Sequence, residues 1–239
     1  MQAYEDIFNQ RGRSYHLAME KYPDAREEEF HAAVKRLNQA AKSTIVDLPA
    51  GGGYLQQYLS EEINYLAYDF SGEFNDNHSN IKKCKESKVD IDDESIDEVV
   101  SLAALHHIVA RKDFYSEMYR ILKDGGRLII ADAIAGSRID EFLNGFLDQW
   151  NSMGHRGRFI KEEDLNEIRE AGFNVKMKTE KYHWNFDSKA SAMDFFRLLF
   201  CLDLNPLDQE IMIAFKKLGV VEASGFSVKW ELGFLTCEK

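Results

Sequence analysis

Three groups of residues have types and spacings suited to chemistry. The first is the stretch Val46-Asp47-Leu48-Pro49-Ala50-Gly51-Gly52-Gly53-Tyr54-Leu55, where an apolar run meets an acid, a proline and three consecutive glycines. Glycines at such a turn let a ligand lie against main chain and permit φ values closed to other residues. The second is Asp69, in Tyr68-Asp69-Phe70, an acid that closes another apolar run. A carboxylate so placed can accept hydrogen bonds from both hydroxyls of a ribose. The third is the pair His106-His107, together with His155, Arg156 and Arg158 further on. Histidine is a suitable base near neutral pH, and arginines in an otherwise acidic chain suit an acidic ligand.

The glycine turn departs from the patterns of two common ligands. A dinucleotide fingerprint needs a third glycine where Gln56 stands, and a phosphate-cradling loop needs a Gly-Lys-Ser/Thr ending that is absent. A nicotinamide-linked oxidoreductase is disfavoured on the first count.

These residues must be held by the elements around them. Short apolar runs at 44–48, 63–70, 95–105 and 127–134, with a weaker one at 81–85, alternate with helical patterns. That alternation predicts a parallel sheet covered by helices on both faces. Helices are expected over 24–42, from the glycine turn onward, over 112–126 and over Lys161–Phe173. Residues 174–186 and 225–239 alternate like strands and would close the sheet with an antiparallel edge. The expected fold class is therefore α/β, Rossmann-like, with seven mostly parallel strands, an antiparallel last strand and a helical insertion between strands six and seven. One domain over 1–239 is expected, with an N-terminal helical cap (1–42) and a helical lid (186–224).

The motifs in register resemble those of the class I S-adenosylmethionine-dependent methyltransferases. VDLPAGGGYL matches the family's glycine-rich first motif with Asp47, Gly51 and Gly53 aligned, and departs from it at Pro49. Asp69 matches the acid after the second strand. SIDEVVSLAALHHI resembles the fourth-strand signature, and YRILKDGGRLIIAD the fifth-strand approach, with Asp124 in place of proline. The resemblance implies S-adenosylmethionine as cofactor, with its methionine end on the glycine turn. It carries Asp47, Pro49, Ala50, Gly51, Gly53, Asp69, Phe70, Ser71, Leu102 and Ala103 to cofactor binding. Proline removes one donor and leaves the amides of Ala50 to Gly53 free to meet the ligand. Lys85, Glu86, Asp90 and Ile91 are available for adenine without a fixed register.

Methyl transfer is a displacement at a sulfonium carbon, so the protein chiefly supplies proximity and orientation. Resemblance to O-methyltransferases implies His106 as catalytic base, and His107, Trp150, His155, Arg158 and Trp184 are assigned to the acceptor. Whether oxygen, nitrogen or carbon is methylated stays open. A catalytically inactive cofactor-binding module of the same fold is the alternative.

A net charge of −11 argues against nucleic acid or an anionic membrane as partner. Cys84, Cys201 and Cys237 are scattered, so neither a disulfide framework nor a metal site is expected, and a reducing cytoplasmic setting fits. No apolar run approaches the ~18 residues of a membrane span. A small molecule is the expected partner, with homodimerisation through the insertion left open.

Overall fold

The computed structural model describes residues 4–74 and 80–239, and among them eight strands form one sheet. The strands are β1 (Thr44–Asp47), β2 (Asn64–Asp69), β3 (Ile81–Lys83), β4 (Ile96–Leu102), β5 (Leu122–Asp132), β6 (Asn174–Phe186), β7 (Val220–Glu222) and β8 (Phe226–Glu238). Their order is β3-β2-β1-β4-β5-β8-β6, with β7 pairing onto β8. β1 to β5 pair in parallel, and β8 runs antiparallel to both β5 and β6. The expected seven strands become eight because the end of the insertion folds back as the short hairpin strand β7.

The central strands are buried on both sides, as their largely apolar runs require. Ile45 and Ile129 point into one core, and their neighbours Val46 and Ile130 into the other. On the second side lie α3 (Arg111–Ile121) and α6 (Glu162–Glu170), which bury Phe114, Tyr115, Met118, Leu165 and Ile168. The first side is covered by α1 (Tyr4–Lys21), α2 (Glu27–Val34), α7 (Lys189–Leu199) and α8 (Asp208–Leu218). With them packs a helical run of α4 (Arg138–Glu141), a π-helical turn (Phe142–Leu147) and α5 (Asp148–Trp150). Trp184 and Trp230, on the neighbouring strands β6 and β8, stack with centroids 4.0 Å apart, and Phe196 of α7 packs against both. Such an aromatic pair is worth about 1 kcal/mol beyond the area it buries.

The helix expected to follow the glycine turn is reduced to a 3₁₀ turn, Tyr54–Tyr58, after which Leu59 is extended. The residues that would continue it have another neighbour: Phe30 of α2 stacks on Tyr58 at 4.9 Å. Helices from before β1 thus cover the ground that this helix would have covered. The helix over 112–126 stops at Ile121, and Lys123-Asp124-Gly125-Gly126 belongs to the strand, with a register shift against β4. The insertion is more than a lid. Phe195, Phe196, Ile211 and Phe215 are buried against the sheet, while Leu199 and Phe200 reach a cavity at the strand ends.

Candidate functional site

That cavity lies at the carboxyl ends of β1, β4 and β5, where open α/β sheets bind ligands. Its volume is about 120 Å³. Pro49, Ala50 and Gly51 form one wall, Leu102 to Ala104 another, and His106, His107 and His155 a third. Aromatic rings of Phe8, Tyr15, Phe30, Trp184 and Trp230 complete it.

The glycine turn is tied down from within. The Ala50 amide donates to the Tyr68 carbonyl, that of Gly53 to the Ala50 carbonyl, and that of Gly51 to Asp69 Oδ2 at 2.8 Å. Of the four amides expected to be free, only that of Gly52 lacks an acceptor among the described residues. Gly51 and Gly53 hold φ of +55° and +72°, which explains the glycines at those two places.

Asp69 is fully buried. Besides the Gly51 amide it accepts the Ser71 amide on Oδ1 and, on Oδ2, the Tyr4 hydroxyl at 3.0 Å. Burial pushes its pKa up to about 7, against the pull of those donors. Asp47 lines the cavity, accepts the Tyr65 hydroxyl at 2.7 Å, and is likewise raised by burial to about 7.

The histidines converge. His106 and His107 sit on a 3₁₀ turn after β4, and His155 arrives from the loop after α5. The His106 and His107 rings are 4.0 Å apart, and each lies 5.1–5.3 Å from that of His155. His106 Nδ1 lies 2.8 Å from Asp132 Oδ1, and the His106 amide donates to Asp132 Oδ2 at 2.8 Å. The ring is thereby fixed with Nε2 left for a ligand. Burial drives the pKa of His107 and His155 well down, helped by the other histidines and by Arg11.

Several assigned residues stand elsewhere. Arg158 is turned away from the cavity, held by Asp164 at 2.7 Å and Glu167 at 3.2 Å beside α6. Trp150 packs at the edge of the aromatic core, not on the cavity wall, and Arg156 is exposed. Phe70 is a core residue, and Ser71 is spent on Asp69, Asn9 and the Glu73 amide. Gly53 shapes the turn without lining it. Trp184 does line the cavity, its indole donating to Glu29 at 2.8 Å. None of Lys85, Glu86, Asp90 and Ile91 is on the wall.

Sequence reasoning missed Asp132, Tyr4, Arg11 and Arg26. Asp132 closes β5 as Asp69 closes β2, and that parallel was a usable signal. Arg26 faces the cavity from a buried pair with Glu29 and donates to Tyr15; burial opposes its charge, but those partners retain it.

Residues 46–130 match the family model described as a methyltransferase domain. The matched residues run from within β1 to within β5, the parallel part of the sheet. The match and the shared fold support an enzyme of the methyl-transfer class. Solved structures agree on the fold. An S-adenosylmethionine-dependent methyltransferase of Thermotoga maritima is 18% identical, with TM-score 0.62 over 98% of this chain and 99% of that one. Phosphoethanolamine N-methyltransferase 2 of Haemonchus contortus, bound to S-adenosylmethionine, is 14% identical with TM-score 0.62, over 100% of this chain and 60% of that one. Geranyl diphosphate C-methyltransferase of Streptomyces coelicolor A3(2) is 14% identical with TM-score 0.56, over 90% and 79%. No curated protein sequence matches the chain. No helix among the described residues is long and apolar enough to cross a membrane.

Proposed function

We propose that this chain methylates a small organic acceptor held between the aromatic wall and the three histidines. The cofactor's amino-acid end lies on Pro49–Gly51 and its ribose on Asp69. The observation that carries the reading is a single cavity lined both by the bare turn and by the histidines, so that a donor and an acceptor bound there would lie within reach of one another. S-Adenosylmethionine supplies an electrophilic methyl group on a sulfonium sulfur. The chain's own residues orient the acceptor, exclude water behind Phe8, Tyr15 and Trp184, and take a proton. In the protein with no other group bound, His106 receives that proton on Nε2, and Asp132 steadies the imidazolium through Nδ1.

A cavity of about 120 Å³ is small beside the roughly 300–1,000 Å³ of pockets that enclose drug-sized ligands. Cofactor entry therefore requires α1 to draw back, so that ribose hydroxyls replace the Tyr4 hydroxyl on Asp69. An N- and a C-methyltransferase share this fold, so the fold leaves the methylated atom undetermined. Calorimetric titration with S-adenosylhomocysteine, followed by label transfer from methyl-labelled S-adenosylmethionine to a panel of phenols, amines and enolisable acids, tests the reading. Saturable binding with turnover of one class supports it. The alternative, a chain that keeps the fold without turnover, is favoured by Tyr4 seated on Asp69, and it predicts no labelled product from any acceptor.

A further inference from the structure

The three histidines make a second kind of site. His106, His107 and His155 are all buried, and one nitrogen of each lies within 4.8 Å of the others. We infer that these three side chains bind one divalent transition-metal ion, with the open coordination position facing the acceptor cavity.

The hydrogen bonds behind the rings support this. His106 Nδ1 donates to Asp132, leaving Nε2 as an unshared donor. His155 Nδ1 lies 3.2 Å from Asn144 Oδ1. The Asn144 amide nitrogen donates to Asp140 and to the Gly157 carbonyl, and its oxygen also accepts the Gly157 amide at 2.8 Å. Those bonds fix the oxygen toward His155, so His155 Nδ1 must carry the hydrogen and Nε2 the lone pair. Asn144 itself sits on the π-helical turn, whose wider winding sets it against the loop. His107 makes no side-chain hydrogen bond among the described residues, so its ring is uncommitted. Carboxylate–histidine–metal and carbonyl–histidine–metal relays of this form orient metal ligands in general. Three imidazoles with an open fourth position is the donor set of a catalytic zinc site rather than a structural one, and it also suits cobalt, nickel or iron. At a metal–nitrogen distance of about 2.0–2.1 Å, tetrahedral ligand atoms stand about 3.4 Å apart. The rings therefore close by roughly an ångström when the ion enters.

A route to the site exists. A second pocket, of about 560 Å³, shares Ile7, His107 and His155 with the inner cavity and opens past Ser152, Met153 and Arg156. The guanidinium of Arg11 is buried beside the histidines, bonded to Asn151 and to the Gly154 carbonyl, with Nε unpartnered. A cation there makes an anion the preferred fourth ligand. The acceptor class that follows is a hydroxyl compound bound as its oxyanion, such as a phenol or an enol. Its proton leaves to solvent on binding. The oxygen lone pair then forms the new O–CH3 bond as the C–S bond breaks, giving the neutral methyl ether and neutral S-adenosylhomocysteine. With the ion bound, His106 is a ligand and the metal replaces it in generating the nucleophile. This acceptor assignment rests on the methyl-transfer reading; the metal site does not.

The test uses the full chain, without a histidine tag, after dialysis against a chelator. Titration with Zn²⁺ followed by elemental analysis, and with Co²⁺ followed by visible absorption, should show one equivalent bound. X-ray absorption at the zinc edge should show three nitrogen scatterers near 2.0–2.1 Å. His155→Gln and His107→Ala should each weaken Zn²⁺ at least tenfold, and Asp132→Asn by about 10–100-fold, with circular dichroism unchanged. No stoichiometric binding by the unaltered chain, or equal binding by His155→Gln, overturns the site. The absorption measurement needs no variant, so a variant that fails to fold does not block the test. Zn²⁺ bound without S-adenosylhomocysteine binding would sink the functional reading and spare the metal site; the reverse result would do the opposite.

Discussion

Replacing Tyr4 by Phe removes a single hydroxyl, the one that donates to Asp69 Oδ2 at 3.0 Å. The ring keeps its place, edge-on to Phe70 with centroids 5.3 Å apart and tilted against Phe8 at 4.3 Å. Oδ2 keeps the Gly51 amide as a donor, so no buried acceptor is orphaned. A hydrogen bond to a neutral partner is worth about 0.5–1.5 kcal/mol, and one to a charged partner about 1.5–3. Asp69 titrates at about 7, so at neutral pH the lost bond is worth the middle of that range, ~1.5 kcal/mol. If cofactor ribose must displace Tyr4, the variant no longer meets that cost. Affinity for S-adenosylhomocysteine should then rise about tenfold. The ligand-free protein should lose the same ~1.5 kcal/mol, a fall in Tm of roughly 3–6 °C. Calorimetry and a thermal melt on the same preparation measure both. A tenfold loss of affinity would show that the hydroxyl contacts the cofactor instead of competing with it, and would refute the reasoning.

His106→Gln should lower kcat by about 10²–10⁴-fold in chelator-treated enzyme with little change in S-adenosylhomocysteine affinity, read by label transfer and calorimetry. Binding of S-adenosylhomocysteine at pH 6.5 should release protons, because ribose donors favour the ionised form of an Asp69 that titrates at about 7 when free; observed heats should therefore vary with the buffer's ionisation enthalpy. Asp47 also titrates at about 7 in the fold and at about 3.9 unfolded, so its contribution to stability is present below pH ~4 and lost as pH rises toward 7. Urea midpoints of Asp47→Asn should therefore decline less steeply over that window than those of the parent. Arg26→Met leaves Glu29 buried without its cation and should cost about 3–5 kcal/mol in urea unfolding.

Much of this architecture was legible because the central strands are buried on both faces and read as largely apolar runs. β6 falls at 174–186, the range its alternation predicts, since one of its faces is exposed and the other packed. The glycine turn and Asp69 were legible because close backbone approach and a strand-end acid leave their mark on residue type. The failures share a cause: they depend on which partner each side chain meets, and residue type does not reveal that. Arg158 reads as a ligand-binding arginine until Asp164 and Glu167 are seen beside it. Trp150 and Trp184 carry the same side chain, and only the stack of Trp184 on Trp230 decides which of them reaches the cavity. The grouping of His155 with His106 and His107 was legible, but a nitrogen spacing within 4.8 Å was not, because the loop after α5 sets it.

α1 shows how one helix can join the two halves of the site. Tyr4, Ile7, Phe8, Arg11 and Tyr15 all line the cavity, and their spacings of three, four and seven place them on one face. Tyr4 stands on the cofactor side, at Asp69. Arg11, two turns and about 10 Å along the axis, stands on the acceptor side, bonded to Asn151 and Gly154 next to His155. Beyond it Ser14 donates to the Leu198 carbonyl, and Lys21 and Tyr22 to Asp194, so the helix's far end is tied to α7. A rigid α1 that yields at Asp69 must therefore pull on the Gly154 turn or pivot about its anchor on α7. Either way, a cofactor bound as proposed would act on the wall beside His155. On the proposed reading, filling of the donor half would reshape the acceptor half through a lever about two turns long.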